Sequence, residues 1–159
     1  MSPEAVPGPV ATVKQALTAA GAEDTVTVFD SQVPTAAAAA ARLGCELAAI
    51  TNSLVFDLAG APLLVLASGA ARVDVRMVAA QLGAGKIRRA TPEFVLAHTG
   101  QEVGGVAPLG HPEKIRTLLD ESLADHPVLW AGAGDHYSMF SITYEELRRI
   151  TEAQEMPVR

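Results

Sequence analysis

The run from Thr99 to Pro112 (TGQEVGGVAPLGHP) concentrates the residues best suited to chemistry by the main chain. Glycine opens backbone angles closed to other residues and lets a ligand approach closely, while Pro108 and Pro112 limit how far the segment can wander. Ordered N–H groups in such a loop can hold a carboxyl-derived oxygen or a terminal ribose without any charged side chain. A tight structural turn uses the same residue types, so the loop needs a second, independent signal.

Other chemistry-bearing side chains are sparse. His111 lies inside the loop, and its imidazole titrates near neutrality, which suits a proton donor or a ligand contact; bonding to nearby backbone is the alternative. His98, His111, Asp135 and His136 form no short metal-ligand motif, so neither a metal nor another cofactor is expected. Cys45 is the single cysteine, which excludes an intramolecular disulfide and a thiolate zinc cluster and leaves an inert, buried small residue as the expectation. Asp74 with Arg72 and Arg76 reads as a helix-end charge cluster, and Trp130 as a core residue.

The elements that must carry these residues alternate between helix and strand. Helices are expected over 11–20, closed by Gly21, over 36–41 behind Thr35 as N-cap with Gly44 at the exit, and over 73–82. Thr91-Pro92-Glu93 opens a further helix that stops near Gly100, where main-chain groups are short of partners, so the glycine loop begins at a helix end. Thr143 to Glu146 has the capping-box pattern of a last helix. Strands are expected over 25–29, 47–57, 62–67, 86–89, 114–119, 128–131 and 137–142, the second and third joined by the hairpin-like Leu58-Ala59-Gly60-Ala61. The fold class is α/β: a single domain built on a mixed β-sheet with flanking helices.

Size and charge limit the function classes. At 159 residues, 49% hydrophobic and 19% charged, the chain is long enough for one core and too short for two. No apolar run reaches the roughly 20 residues needed to cross a bilayer, and Met1 to Pro9 lacks the basic start and apolar core of a secretion signal, so the expected location is cytoplasmic with no membrane partner. Twelve Lys and Arg against 18 Asp and Glu give a net charge of −6, which argues against a broad phosphate-tracking surface and against DNA. Lys86, Arg88 and Arg89 form a local basic patch that fits either contact with a nucleic-acid end or a charged, protected edge strand.

The second signal is the order of motifs. A Thr35-led helix, Gly44-Cys45-Glu46-Leu47, then Ile50-Thr51-Asn52-Ser53-Leu54-Val55-Phe56, SGAARVD at 68–74, the Gly104–His111 loop and the late Gly132-Ala133-Gly134 resemble the YbaK family, the prolyl-tRNA synthetase-associated editing domains. The resemblance runs from Val13 to Thr151, leaving 1–12 as an N-terminal extension with the start of the first helix and 152–159 as a C-terminal tail. It implies a trans-editing aminoacyl-tRNA deacylase that hydrolyses the ester of a mischarged tRNA carrying a small amino acid. The partners would be the tRNA acceptor end and a synthetase.

Carried over residue by residue, the resemblance places Gly104, Gly105 and Val106 as backbone donors at the reacting ester, with Pro108 fixing their loop. Asn52 and Ser53 would face the same pocket from the strand, Asp30 and Ser31 would border the amino-acid side chain, and Thr99, Gly110 and His111 would complete the substrate contacts. One departure stands out: the family's usual lysine before the SLVF strand is Asn52 here, an amide that donates and accepts hydrogen bonds but supplies no charge. A non-catalytic module binding an aminoacyl-tRNA end, an amino-acid-like ligand or a synthetase is the alternative that this substitution implies.

Overall fold

The apolar run Leu63–Ala67 is fully buried because the strand that contains it has both faces covered. In the computed structural model, which describes residues 8–159, this strand is β3 (Ala61–Ser68), paired antiparallel with β2 (Ile50–Leu58). The hairpin turn places Ala59 at φ 52° and Gly60 at φ 93°, two successive left-handed residues whose twist matches the flanking strands. Asp57 Oδ1 accepts the Gly60 N–H at 2.7 Å and holds that turn closed.

Six further strands extend the sheet. β5 (Arg116–Asp120) lies parallel to β3, and β8 (Gln154–Met156) parallel to β5. On the other side β6 (Leu129–Gly132) runs parallel to β2, followed by β7 (Ser138–Ile142) and β1 (Thr27–Val28), both antiparallel to their neighbours. The order is β1-β7-β6-β2-β3-β5-β8, with β4 (Ile87–Arg89) also on β2. β6 pairs with Ile50 and Thr51 at the start of β2, and β4 pairs with Phe56 to Leu58 at its end. Residues 52–55 between them have no strand on that edge.

Helices α1 (Pro9–Ala19), α4 (Pro92–Thr99) and α5 (Tyr144–Thr151) supply Val13, Leu17, Val95 and Leu147 to the larger core on the face of Val55, Leu64 and Leu66. Helix α3 (Val75–Leu82) packs Val78 and Ala79 against Leu63, Val65 and Ala67 on the other face. Helix α2 (Ala36–Leu43) packs Ala39 and Ala40 on Ile50 and Met139. Side-chain caps start four of these helices: Thr35, Asp74, Thr91 and Thr143 each accept a first-turn N–H at 3.0–3.3 Å.

The mixed sheet and flanking helices are as expected, with local differences. Asp74 is the N-cap of α3, so that helix begins at Val75 and the supposed Asp74 charge cluster is a cap. The strand expected from Leu47 opens as a 3-10 turn over Leu47–Ala49, closed by the Ala49 N–H donating to the Glu46 carbonyl, and extended backbone begins at Ile50. β1 is only two residues long, and Trp130 is half-buried against the α2 cluster. Of the expected N-terminal extension, residues 1–7 lie outside the described residues. The expected C-terminal tail instead contains β8, since Met156 and Val158 are apolar at alternate positions and enter the core at 4% and 0% exposure.

β8 should therefore carry stability. A chain ending at Glu152 loses two buried apolar side chains worth roughly 1.5–3 kcal/mol each, against a total of about 5–15 kcal/mol for a domain. The expected result is a melting temperature lower by about 10 °C or more. An unchanged melting curve would show the segment to be dispensable.

Candidate functional site

A cavity of about 620 Å³ opens where β6 and β4 diverge from β2. Its floor is β2 from Ile50 to Phe56, which includes the uncovered edge at residues 52–55. One wall is Val33 to Thr35 with the first turn of α2, another is Ala90 and Pro92 at the entry of α4, and the roof is formed by Val103, Gly104 and Val106 facing Asp135 and His136. The strand register sorts the floor: Thr51, Ser53 and Val55 share the face of Ser68, Leu66 and Leu64, while Asn52, Leu54 and Phe56 point to the opposite face.

The glycine loop is built by contact with the segment after β6. A Cβ on Gly105 would lie 2.9 Å from Asp135 Cα and 3.0 Å from its carbonyl carbon, and one on Gly132 would lie 3.2 Å from the Val106 carbonyl oxygen. Gly104 has φ 87°, and its Cα faces the His136 ring so closely that a Cβ would come within 2.9 Å of Cε1. Asp135 Oδ1 accepts the Tyr137 N–H at 2.8 Å and the Ser138 hydroxyl at 2.5 Å, which fixes the partner segment. The His136 and Tyr137 carbonyls accept the N–H groups of Val33 and Phe29, so the wall and roof move as one.

Of the expected donors, Gly104 and Val106 line the cavity, and their N–H groups have no acceptor among the described residues. Gly105 does not line it: its N–H donates to the Glu102 carbonyl at 2.9 Å, and its role is the close approach to Asp135. Asn52 and Ser53 both line the cavity. The Oγ atoms of Thr51 and Ser53 are buried there without a hydrogen-bond partner.

The remaining expected site residues lie elsewhere. Asp30 and Ser31 are on the surface, where both bond Arg42 of α2, and the guanidinium holds the Asp30 carboxyl below the usual carboxylate range. They sit away from the cavity because that ion pair ties them to the outer side of the helix. Pro108 is buried and does not line this cavity. Thr99, Gly110 and His111 line a second, smaller cavity of about 250 Å³ beside the start of α1.

That second group frames the glycine loop. The Thr99 hydroxyl bonds the Val95 carbonyl at 2.7 Å and accepts the Gln101 N–H, and Gln101 Oε1 accepts the Ala107 N–H at 2.7 Å. His111 Nε2 lies 2.8 Å from the Ala107 carbonyl, and burial pushes the imidazole below its ordinary value, so the neutral ring braces the loop by donating to that carbonyl.

Asp135, His136 and Arg89 are the titratable cavity residues that sequence reasoning did not assign to it. The available signal was Gly134, at φ 113°, directly before Asp135-His136, which marks a constrained loop of the same kind as Gly104. Among the described residues no three His, Cys, Asp or Glu side chains gather as a metal site. Cys45 lies outside the cavity, half-buried, with its thiol pushed up by burial.

Residues 30–150 match the aminoacyl-tRNA editing domain, and the chain belongs to that family. It is 33% identical to a solved candidate trans-editing enzyme for prolyl tRNA synthetase, covering 100% of this chain and 98% of that one with a TM-score of 0.88. The solved hypothetical protein APE2540 is 27% identical over 92% of this chain and 98% of its own, with a TM-score of 0.85. YwhH of Bacillus subtilis (strain 168), an uncharacterized protein, is 32% identical over 81% of this chain and 82% of its own length.

Two outcomes follow from this geometry. Gly105→Ala should destabilise the protein by about 1–3 kcal/mol in urea unfolding, because a methyl group meets backbone that cannot rotate away; wild-type stability would mean that the loops are free to separate. His111 supplies a pH dependence. Its folded pKa is depressed, so the unfolded chain binds more protons as pH falls, and the stability contributed by the neutral ring is present above about pH 6.5 and lost below it. His111→Gln should flatten the decline in melting temperature between about pH 7 and about pH 5.

Proposed function

We infer that this editing domain is an aminoacyl-tRNA deacylase acting in trans, hydrolysing the ester between a small amino acid and the terminal ribose of a mischarged tRNA. The observation that carries the reading is the pair of unengaged N–H groups at Gly104 and Val106 on a cavity whose floor holds Asn52 and Ser53. Water attacks the ester carbonyl, the carbonyl oxygen takes up negative charge, and those two donors stabilise it. The acyl C–O bond then breaks, the ribose oxygen takes a proton, and the products are the free amino acid and uncharged tRNA. An ester needs little more than an oriented water and fixed donors, because preorganised dipoles do most of the work.

Asn52 supports orientation of the water or of the ribose hydroxyl by its amide. The family resemblance favours small amino acids, and the tRNA acceptor end is the macromolecular partner; a synthetase that delivers it is a further one. A binding-only module is the second reading, and Asn52 in place of a lysine is the observation that favours it.

The test is deacylation of a panel of mischarged tRNAs, with and without chelator. At least one should be hydrolysed, and chelator should have no effect. Asn52→Ala should lower the rate about ten-fold, the loss of one hydrogen bond at the reacting groups, and Asn52→Lys should raise the rate with a gain that shrinks as salt increases. No turnover of any tRNA, with an uncleavable aminoacyl analogue still bound, would establish the binding module.

A further inference from the structure

Three cations cluster before α4, and only Arg89 lines the cavity. The register accounts for this: Ile87 stands opposite Leu58, Arg88 opposite Asp57 and Arg89 opposite Phe56. Arg89 therefore projects on the face that carries Asn52, Leu54 and Phe56, while Arg88 is turned to the other side. Elsewhere Lys14, Arg42, Lys114, Arg148 and Arg149 are each paired with a carboxylate, while Arg72, Arg76, Arg116 and Arg159 have no ion pair among the described residues and line no part of this cavity. Arg89 is exposed and has no ion pair among the described residues. Among the described residues it is the only Lys or Arg on the cavity, and the only carboxylate there, Asp135, already accepts two hydrogen bonds.

We propose that Arg89 binds the phosphate that links the terminal nucleotide of the aminoacylated strand to its neighbour. The ester then lies over Asn52 and the Gly104–Val106 loop, and the strand leaves past β4. The inference rests on the deacylase reading for the position of the ester. Asn52 and Phe56 are about 13 Å apart along β2, and the Arg89 stem reaches back from beside Phe56, so one sugar and its 5′-phosphate occupy the interval. A guanidinium suits this task because its fork matches two phosphate oxygens at once. With a net charge of −6 the chain cannot track a polyanion, so a single placed cation decides which end of the nucleic acid is held.

The substrate class is accordingly an aminoacyl ester that carries a 5′-phosphate on its terminal nucleoside. The full chain can be titrated with two uncleavable probes, 3′-aminoacylamido-adenosine with and without a 5′-phosphate. Wild type should bind the phosphorylated probe about ten-fold or more tightly, as a charge-assisted hydrogen bond provides. Arg89→Ala should erase that difference, and Arg88→Ala should preserve it.

On an acceptor-stem duplex with the same amide-linked end, Arg89→Ala should reduce the slope of log affinity against log salt by about 0.7, the value for one single-strand phosphate. Arg89→Lys should keep the slope and recover only part of the affinity. With a cleavable mischarged tRNA, Arg89→Ala should raise KM and leave kcat within about two-fold.

Equal affinity of wild type for the two adenosine probes, or an unchanged salt slope in Arg89→Ala, overturns the assignment. Displacement of the phosphorylated probe by equimolar inorganic phosphate overturns it too, by showing an anion site without nucleotide preference. Arg89-dependent binding without hydrolysis by wild type upholds the assignment and overturns the deacylase reading. Hydrolysis indifferent to Arg89→Ala has the opposite meaning.

Discussion

The divided edge of β2 is the constraint on which the rest of this structure depends. A strand inside a sheet satisfies its N–H and C=O groups on both sides, and burying such groups without partners is costly. Here β6 covers the first two residues of that edge and β4 the last three, and residues 52–55 are left between them. The gap persists because each neighbour is pulled away by its own commitments. β6 belongs to the β6–β7–β1 meander on one side. β4 is short, and Pro92 begins α4 three residues after it, so it cannot extend toward Asn52. A strand edge that cannot be covered by protein stays accessible to solvent or ligand, and the cavity lies there.

The gap alone would be a wet groove. What gives it shape is the mutual approach of two glycine-bearing segments, Gly104-Gly105-Val106 and Gly132 to His136, which meet most closely where Gly105 lies against the Asp135 backbone at a distance that excludes a Cβ and Gly104 lies against the His136 ring. Close approach has a conformational cost, because glycine loses more freedom on folding than any other residue. Surrounding contacts offset it: Gln101 clamps the Ala107 N–H, His111 holds the Ala107 carbonyl, and Asp135 holds its own turn. Donors at Gly104 and Val106 are thereby fixed before any ligand arrives, the condition under which a dipole does not have to reorganise as charge develops.

Much of this was legible in the sequence where the determinant is local. Thr35, Thr91 and Thr143 announce helix starts because a cap hydroxyl and a first-turn N–H are neighbours in the chain, and Ala59-Gly60 announces a hairpin for the same reason. Asn52 and Ser53 were placed on the cavity by their position in an ordered motif. What was not legible shares one cause, which is that it depends on contacts between residues separated along the chain. Asp30 and Ser31 are drawn to Arg42, twelve and eleven residues on. Gly105 looks like Gly104 until Asp135 is brought against it, and Thr99 and His111 look like ligand contacts until Ala107 is seen to need a brace. β8 is three residues long, too short for its alternation to stand out, and it is recruited by the open edge of β5.

The buried hydroxyls of Thr51 and Ser53 connect stability to selectivity. Neither has a hydrogen-bond partner among the described residues, and both line the cavity. They are polar atoms in an otherwise apolar stretch beside Val55 and Val106. A ligand that offers a hydrogen-bonding group at this depth satisfies them, whereas one that offers a methyl group leaves them unpaired at a cost of roughly 1–3 kcal/mol per group. Sites built in this way discriminate far better between polar and apolar ligands than between ligands that differ by a methylene, since the penalty for the wrong ligand is an unpaired buried group. In the deacylase proposed above, these two atoms would favour a ligand that brings hydrogen-bonding groups, and Asn52 on the same cavity would add hydrogen-bonding capacity without charge.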